Sequence, residues 1–400
     1  MFTSKLSGFA ASPIREDAAI AKKLTEEGKR VIALNSGDPP KYFPTPEYLI
    51  KEYARALRNN YTFYEDSQGA SALRDTIAKR YKNLYGIDAD PNRIIVTQGA
   101  SEALLFLNLS LLNPKEKAAL ISPYYASYEP FIRVAGGTPI IGESNEEEKW
   151  SIDLDGLNKL LKKNRKIKYL LITSPNNPTG AIIKRKEMEE LAEIANELDI
   201  LLISDEIYDE LVFSNDFVSL SQIAKDMPYV ILNGVSKSLN ATGIRIGYLL
   251  IPNSDPKSDE LLKTLIDFAR MRLSANTPAQ YAVANTMLSK EHFNWIKKFA
   301  KEIKERTTYA TKLVNESRFM QAVLPQGAFY VFPKVNMKIL DIKDDKEFVN
   351  KLLIEKQVWL TRGSGFGSKN HVRIVALPNK ETLSLAMSKI DEFCNAHEAI

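Results

Sequence analysis

The chain has little of the residue types that mark several large classes of protein. Its 400 residues include one cysteine, Cys394, which excludes an internal disulfide framework and fits a reducing compartment. The three histidines are far apart, and neither a CxxC nor an HExxH motif is present, so no metal site is expected. No apolar run approaches the roughly eighteen residues of a membrane-spanning helix, and the first residues do not resemble a signal peptide.

Charge of either sign is not in large excess. The 54 Lys and Arg residues and 50 Asp and Glu residues leave a formal net charge of +4, spread along the chain. This balance gives no support for binding to nucleic acid or to a membrane surface. A GxxxxGK[ST] phosphate loop is also missing. We therefore expect a soluble, cytoplasmic, globular protein, and the length predicts two or three domains.

The middle of the chain repeats a pattern of short apolar runs, turns and helical stretches. Most of the runs lack polar alternation, which is typical of strands buried on both faces of a mostly parallel sheet. The helix predicted over Lys186–Leu198 carries its apolar residues on one stripe. This pattern predicts an α/β fold with a doubly wound sheet, in which sites lie at the carboxyl ends of the strands. The candidate strands are Arg93–Thr97, Ala118–Ser122, Tyr169–Thr173, Leu201–Ser204, Tyr229–Leu232 and Ile246–Ile251.

The pattern changes near residue 290. A long amphipathic helix, predicted over His292–Asn315, is followed by shorter mixed elements. We predict a large domain over residues 46–290 and a smaller α/β domain over residues 291–400. An N-terminal arm, residues 1–45, is expected to join the smaller domain.

The most informative segment is Asn233–Tyr248, which reads NGVSKSLNATGIRIGY. It begins at the carboxyl end of a candidate strand, where Lys237 would project into a cleft. Arg245 follows eight residues later, between Gly243 and Gly247. One ligand can engage both side chains, because an amine forms a Schiff base and a guanidinium binds a phosphate. Taken alone, a lysine at a strand end is more often a solvated charge.

This segment resembles the lysine signature of the fold-type I, class I aminotransferases, the aspartate and alanine aminotransferase family. The resemblance continues in order from about Ile14 to Ala376, nearly the whole chain. It implies a homodimeric enzyme that uses pyridoxal 5'-phosphate (PLP), with amino acids and 2-oxo acids as substrates. Lys237 would bind the cofactor covalently and, when displaced, act as general base and acid. The matching residues are Gly234, Ser236, Lys237, Asn240, Gly243, Arg245 and Gly247.

A carboxylate is expected beside the pyridine nitrogen of PLP, because the ring withdraws electrons only while it is protonated. The resemblance assigns this role to Asp205 and makes Tyr208 a donor to the ring hydroxyl. A pair at about 4 Å and an effective dielectric constant near 20 is worth about 4 kcal/mol, or about three pKa units. Without the resemblance, the same residues fit a helix-capping aspartate and a core tyrosine.

Three loops are expected around the cofactor. By the resemblance, Asn177, in an Asn-Pro-Thr-Gly turn, binds the ring hydroxyl and borders the substrate, and Tyr125 stacks on the ring. Gly99, Ala100 and Ser101 form the phosphate loop, since backbone N–H groups at a helix start bind anions. Without the resemblance, these residues fit an ordinary turn, a core tyrosine and a tight strand-to-helix connection.

The resemblance also assigns the substrate side of the site. Arg373 matches the arginine that binds the substrate α-carboxylate, with which a planar guanidinium makes two parallel hydrogen bonds. Gly37 matches a glycine whose backbone lies against the same carboxylate. Tyr64 matches a tyrosine that reaches the phosphate of the neighbouring subunit, so the site would require a dimer. Alone, Arg373 also fits a surface arginine on a strand edge.

Three positions depart from the family pattern. Gly234 stands where many relatives have a phosphate-binding serine, and Ser236 is the candidate to replace it. Ile244 replaces a common tryptophan, which we interpret as a packing change. Arg362 precedes Gly363 where a proline is usual, and this extra cation near the small-domain face is expected to affect substrate choice.

The expected reaction moves the amino group of alanine or aspartate to 2-oxoglutarate. The segments Leu34–Pro39 and Asn233–Tyr248 most resemble the alanine- and aspartate-specific branch of the family. A substrate with a second carboxylate requires a cationic partner, because burying an unpaired carboxylate is costly. Arg15, in a segment that folds over the active site in relatives, is the candidate partner.

Alternatives remain at this point. The same machinery serves a PLP-dependent β-lyase or an aminotransferase for aromatic amino acids, and no single residue separates these activities. A non-catalytic binding or regulatory protein on this fold would lose Lys237 or carry an added DNA-binding segment. The sequence keeps the lysine and has no basic patch in its N-terminal region.

Overall fold

The computed structural model describes residues 13–214, 216–225, 227–252 and 254–399. The strands, numbered along the chain, are β1 Ile32–Ala33, β2 Ile94–Thr97, β3 Lys117–Ser122, β4 Thr138–Asn145, β5 Ser151–Ile152, β6 Ile167–Thr173, β7 Leu201–Asp205, β8 Tyr229–Gly234, β9 Gly247–Leu250, β10 Met320–Gln321, β11 Tyr330–Val331, β12 Lys334–Val335, β13 Val358–Trp359, β14 Thr361–Arg362 and β15 Val372–Val375.

The α-helices are numbered in the same way. They are α1 Ala18–Glu26, α2 Glu47–Arg58, α3 Ser71–Tyr85, α4 Ala100–Leu111, α5 Tyr128–Val134, α6 Leu154–Lys163, α7 Arg185–Glu197, α8 Val235–Ser238, α9 Pro256–Arg272, α10 Thr277–Thr286, α11 Lys290–Glu316, α12 Asp345–Lys356 and α13 Lys380–Ala396. Among the helices of the described ranges, none is both long and apolar enough to cross a membrane.

Eight of the described strands form one sheet in the spatial order β2, β9, β8, β7, β6, β3, β4, β5. The five strands β8, β7, β6, β3 and β4 are parallel to one another, whereas β9 runs antiparallel to β2 and β8, and β5 runs antiparallel to β4. The predicted α/β class and mostly parallel sheet are therefore confirmed. The six predicted strands correspond to β2, β3, β6, β7, β8 and β9, with ends that differ by at most two residues. Strand β4 was not among the candidates.

Both faces of this sheet are covered, as the uniformly apolar strands predict. Successive residues of β6 face opposite sides, so Leu170 lies in one hydrophobic cluster and Leu171 in another. Helix α7 contributes Leu191 to the first cluster, and helix α4 contributes Leu107 to the second. The two-layer burial holds the strands rigidly and fixes the positions of the loops at their ends.

A separate hydrophobic core lies among the C-terminal elements. It includes Phe348 from α12 and Cys394 from α13, together with Ile32 from the N-terminal region. Strand β1 reaches this core by pairing in parallel with β13, where Ile32 lies opposite Val358. The long helix predicted over residues 292–315 is α11, and the Oγ of Ser289 caps it by accepting from the His292 amide at 3.0 Å.

Candidate active site

Strands β2, β3, β6, β7 and β8 end beside a cavity of about 600 Å³. The other walls come from residues 14–15 and 36–38 and from β11 and β15. Most of the sequence-predicted site residues line this cavity, although they lie far apart in the chain. They are Arg15, Gly37, Ala100, Ser101, Tyr125, Asn177, Asp205, Tyr208, Ser236, Lys237, Arg245 and Arg373.

Lys237 lies in the short helix α8, directly after β8, and its amine faces the cavity. The Nζ atom donates a hydrogen bond to the carbonyl of Gly37 at 2.7 Å and lies 5.5 Å from the centre of the Phe329 ring. Burial lowers the pKa of Lys237 to about 8, and the negative charge of Asp38 opposes this shift. A substantial fraction of the amine is therefore neutral near physiological pH, as a nucleophile requires.

Asp205 is the last residue of β7 and is buried. Its Oδ2 accepts a hydrogen bond from the Tyr128 hydroxyl at 2.7 Å, and its Oδ1 accepts one from the Ile207 amide at 3.2 Å. Burial raises the pKa of Asp205 to about 6, although both hydrogen bonds act in the opposite direction. A nearby cation would stabilise the ionised form of this buried carboxylate, so Asp205 is suited to bind a protonated ring nitrogen.

Another part of the cavity wall combines the Arg245 guanidinium with the start of helix α4. Helix α4 begins at Ala100, where the first amides have no partner within the helix. Arg245 lies beside this helix start and donates to the carbonyl of Thr242 at 2.9 Å and to that of Gln98 at 3.3 Å. A side chain at Gly99, which has a φ of +75°, would collide with the Arg245 guanidinium. The glycine therefore allows the arginine to approach the anion-binding helix terminus.

Arg373 is almost completely buried, with 1% of its surface exposed. Its guanidinium lies between two aromatic rings, 4.6 Å from the centre of Tyr330 and 4.7 Å from that of Phe366. Nη1 donates to the Oδ1 of Asn177 at 2.8 Å, and Nη2 donates to the carbonyl of Asn35. The buried Nε atom has no hydrogen-bond partner among the described residues. A buried cation with a free donor is an appropriate site for a ligand carboxylate.

Two tyrosines complete the cavity wall. The hydroxyl of Tyr208 is 2.7 Å from that of Tyr330, and burial raises the pKa of Tyr208. The Tyr208 hydroxyl is therefore protonated and can donate a hydrogen bond at neutral pH. The Tyr125 ring is perpendicular to that of Tyr128, with 5.4 Å between their centres. Because Tyr128 is anchored to Asp205, this contact helps to orient Tyr125 at the cavity.

Comparisons with known proteins agree with this geometry. Residues 29–390 match the sequence model of the family described as aminotransferase class I and II. The chain belongs to this family. It is 34% identical to the aspartate aminotransferase of Thermotoga maritima, over 99% of this chain and 100% of the relative. It is also 34% identical to the (5-formylfuran-3-yl)methyl phosphate transaminase of Methanocaldococcus jannaschii, with the same two coverages.

Solved structures give the same result for the whole fold. The alanine aminotransferase of Pyrococcus furiosus superimposes with a TM-score of 0.94 and 36% sequence identity. The alignment covers 99% of this chain and 100% of that structure. The protein is therefore a PLP-dependent aminotransferase, as the lysine signature indicated.

The residues of this aminotransferase fit PLP chemically. The cavity holds a lysine amine, a buried carboxylate at Asp205, and a helix terminus with Arg245 for a phosphate. These groups match the aldehyde, the ring nitrogen and the phosphate of the cofactor, respectively. The glycines at 99 and 247 leave room where the start of α4 meets the segment that leads from Arg245 into β9, since a side chain at either glycine would collide there.

Three sequence-predicted residues require comment. Gly99 does not line the cavity but supports it through its contact with Arg245. Tyr64 lies outside the cavity and is 80% exposed. Arg362 does not line the cavity either, because its guanidinium is paired with Glu16, with 2.8 Å between Nε and Oε2. Any influence of Arg362 on the substrate must therefore be indirect.

Several site residues were missed in the sequence. Tyr128 binds Asp205, Asn35 and Phe366 contact Arg373, and Tyr330 contacts both Arg373 and Tyr208. Tyr128 lies outside the motifs that carry the resemblance, whereas Phe366 lies in the glycine-rich segment that follows Arg362 and was given no role there. Asn35 could have been predicted from the sequence, because it directly precedes the Ser-Gly-Asp-Pro segment that contains Gly37.

Proposed function

We propose that this aminotransferase transfers the amino group of alanine or aspartate to 2-oxoglutarate. The observation that carries the proposal is the cavity, in which the Lys237 amine, the Asp205 carboxylate and two guanidinium groups, from Arg373 and Arg15, converge. The names of the similar proteins, an aspartate and an alanine aminotransferase, support the same substrates.

Lys237 is the proposed covalent attachment point for PLP and the proposed catalytic base and acid. When bound, PLP supplies an electron sink for the negative charge that develops at the substrate α-carbon. Lys237 would hold the cofactor through its amine, and once free the same amine would take the proton from the substrate α-carbon as general base and give it back as general acid. The low pKa of Lys237, about 8, supports this role because the neutral amine is available near neutral pH.

The remaining residues hold the cofactor in this proposal. Asp205 keeps the ring nitrogen protonated, and Tyr208 and Asn177 donate hydrogen bonds to the ring hydroxyl. Tyr125 stacks on the ring, and its contact with Tyr128 favours a fixed orientation. The proposed phosphate-binding residues are Gly99, Ala100, Ser101, Ser236 and Arg245, with Tyr64 from the neighbouring subunit.

Arg373 is the proposed partner of the substrate α-carboxylate, with the backbone of Gly37 against the same group. The burial of the Arg373 guanidinium near two aromatic rings and the Nε donor without a hydrogen-bond partner among the described residues support this assignment. Arg15 is the proposed partner of a second carboxylate, as in aspartate, glutamate and 2-oxoglutarate. Two separated cations on one cavity suit a dicarboxylate and still accept alanine.

A homodimer is part of the proposal because Tyr64 does not reach the cavity of its own chain. Tyr64 and its neighbour in the sequence, Phe63, are both exposed, and exposed apolar side chains are typical of an interface. The carbonyl of Phe63 accepts from the Thr277 hydroxyl at 2.7 Å, which joins this segment to the start of α10. Other large apolar side chains exposed between residues 46 and 290 include Ile50, Leu57, Met271 and Leu273.

The domain boundaries are also proposed from the sequence. We assign residues 1–45 to an N-terminal arm of the small domain, residues 46–290 to the large PLP-binding domain and residues 291–400 to the small domain. The pairing of β1 with β13 supports the first assignment. A cytoplasmic location remains part of the proposal and rests on the single cysteine, Cys394.

A panel of amino donors with 2-oxoglutarate as acceptor tests the proposed function. We expect the highest kcat/KM with alanine, aspartate or both, and keto acid in excess of the enzyme concentration only when the acceptor is present. Keto acid formed over many turnovers without an acceptor would identify a β-lyase instead. A strong preference for aromatic donors would overturn the proposed substrates.

A further inference from the structure

The N-terminal segment at the cavity mouth is held from its outer side. Pro13–Arg15 form a 3-10 turn, and Ile14 and Arg15 line the cavity. The next residue, Glu16, does not line it. Its carboxylate is held by two cations, with Arg362 Nη2 at 2.7 Å from Oε2 and Lys346 Nζ at 2.9 Å from Oε1. The Nε of Arg362 adds a second contact to the same Oε2 at 2.8 Å.

The ion pair between Glu16 and Arg362 is better shielded than most surface pairs. The side chains of Arg362 and Glu16 are 24% and 32% exposed. Burial alone would raise the pKa of Glu16, but the hydrogen bond from Lys346 and the charge of Arg362 outweigh it and lower the pKa. The carboxylate therefore stays ionised, and both of its oxygens have partners.

Two further contacts hold the same turn against the C-terminal elements. The side-chain amide of Asn35 donates to the carbonyl of Ile14 at 2.9 Å, while the carbonyl of Asn35 accepts from Arg373. A side chain at Gly365 would collide with the Pro13 ring, so only glycine allows this approach. The segment that carries Arg15 is thereby linked to the arginine proposed for the α-carboxylate.

We propose that the ion pair between Glu16 and Arg362 positions Arg15 over the cavity and thereby favours substrates with a second carboxylate. Arg362 is a positioning residue in this account, because it contacts Glu16 and does not line the cavity. The inference rests on the proposed function. It also gives a reason for the arginine at position 362, where a proline is usual in the family. A proline, the usual family residue there, has no side-chain donor and cannot make this pair.

Substrates with and without a second carboxylate should respond differently to loss of this pair. Aspartate, glutamate and 2-oxoglutarate would bind less tightly because Arg15 would no longer be held in position for their second carboxylate. Alanine has no second carboxylate and would not be affected. Lys346 still holds the other oxygen of Glu16, so the loss is partial. Exposed or half-exposed ion pairs are worth up to about 1 kcal/mol, which predicts a change of about threefold to fivefold.

The first test compares Arg362→Gln with the wild-type protein in limited trypsin digestion. The variant leaves the cleavage sequence after Arg15 unchanged, so its rate reports how firmly the turn is held. We expect cleavage after Arg15 to become about threefold to fivefold faster. Arg318→Gln is the matched control, because Arg318 pairs with Glu398 and Asn395 on another surface.

The second test measures the amino-acid half-reactions on the PLP form of each enzyme and the 2-oxoglutarate half-reaction on the pyridoxamine form. We expect Arg362→Gln to raise KM for glutamate and 2-oxoglutarate about threefold to fivefold, with less than about twofold change for alanine and little change in kcat. Glu16→Gln removes the carboxylate partner of the same ion pair and should shift KM in the same way. Arg362→Lys, which keeps the charge but not the two-nitrogen contact, should be intermediate.

The outcomes separate the two proposals. Unchanged cleavage after Arg15, or an unchanged ratio of KM for glutamate to KM for alanine, in an active Arg362→Gln enzyme overturns the positioning role. A wild-type enzyme that transaminates none of these donors overturns the proposed function, and the selectivity inference with it. Faster cleavage together with a selective KM increase supports both.

Discussion

Tyr128 donates its phenolic proton to the Oδ2 of Asp205 at 2.7 Å, and both side chains are buried. Since Tyr128 has one proton to give, the hydroxyl of Thr173, 2.7 Å away, is the donor in their contact. A chain of two hydroxyls, from Thr173 and Tyr128, therefore supports the carboxylate that is proposed to bind the cofactor ring. The chain joins the end of β6 to the end of β7 through the start of α5.

Tyr128→Phe tests this support without creating a cavity. The variant removes a hydrogen bond to a charged group, worth roughly 1.5–3 kcal/mol, so we expect kcat to fall by about tenfold or more. Because the hydrogen bond lowers the pKa of Asp205, its loss raises that pKa, and the acid limb of the kcat profile should move to higher pH. Steady-state rates between pH 5 and 9 would show both effects. Unchanged kcat with an unchanged profile would make Tyr128 a packing residue.

Asp205→Ala removes the proposed ring partner itself. We expect the variant to bind PLP, since Lys237 and Arg245 remain, but to turn over about three orders of magnitude more slowly. The estimate follows if about 4 kcal/mol of transition-state stabilisation depends on the protonated ring. The cofactor absorbance and kcat can be measured on the same sample. A loss of less than about tenfold would mean that Asp205 is only a structural residue.

The sequence predicted the parts of the site that lie within linear motifs. Lys237, Asp205 and Arg373 were located in this way, and all three line one cavity. Tyr128 was not, because its partner is 77 residues away in the chain and nothing local requires a tyrosine there. Phe366 likewise gains its contact with Arg373 only through tertiary packing.

The strands, too, divide into those that the sequence predicted and those that it did not. Strands with uninterrupted apolar runs were predicted well, because burial on both faces leaves a clear pattern. Strand β4 was missed because exposed and buried residues are mixed along it and it contains Pro139 and Gly142. The reversed direction of β9 was also not predictable, since an apolar run carries no information on strand direction.

Arg15→Ala tests the proposed partner of the second carboxylate. Loss of one charged hydrogen bond, roughly 1.5–3 kcal/mol, should lower kcat/KM for glutamate and aspartate about tenfold or more relative to alanine. The alanine half-reaction serves as the internal control, because it has no second carboxylate. Equal losses on all three donors would remove Arg15 from this role.

Tyr64→Ala tests whether the active site is shared between subunits. If Tyr64 completes the partner's site, Tyr64→Ala and Lys237→Ala should each be inactive but should recover partial activity when mixed and reassociated. Some hybrid dimers then contain one site with both residues intact. Each variant reassociated with itself is the control. A fully active monomer on size-exclusion chromatography would contradict the prediction.

The most direct test of the whole account is the identity of the residue bonded to PLP. Borohydride reduction of the PLP-loaded enzyme, followed by peptide mapping, locates the lysine that carries the cofactor. The account predicts the label on Lys237, and Lys237→Ala should lose both this label and nearly all turnover. A label on any other lysine of the wild-type enzyme would contradict the assignment of the active site.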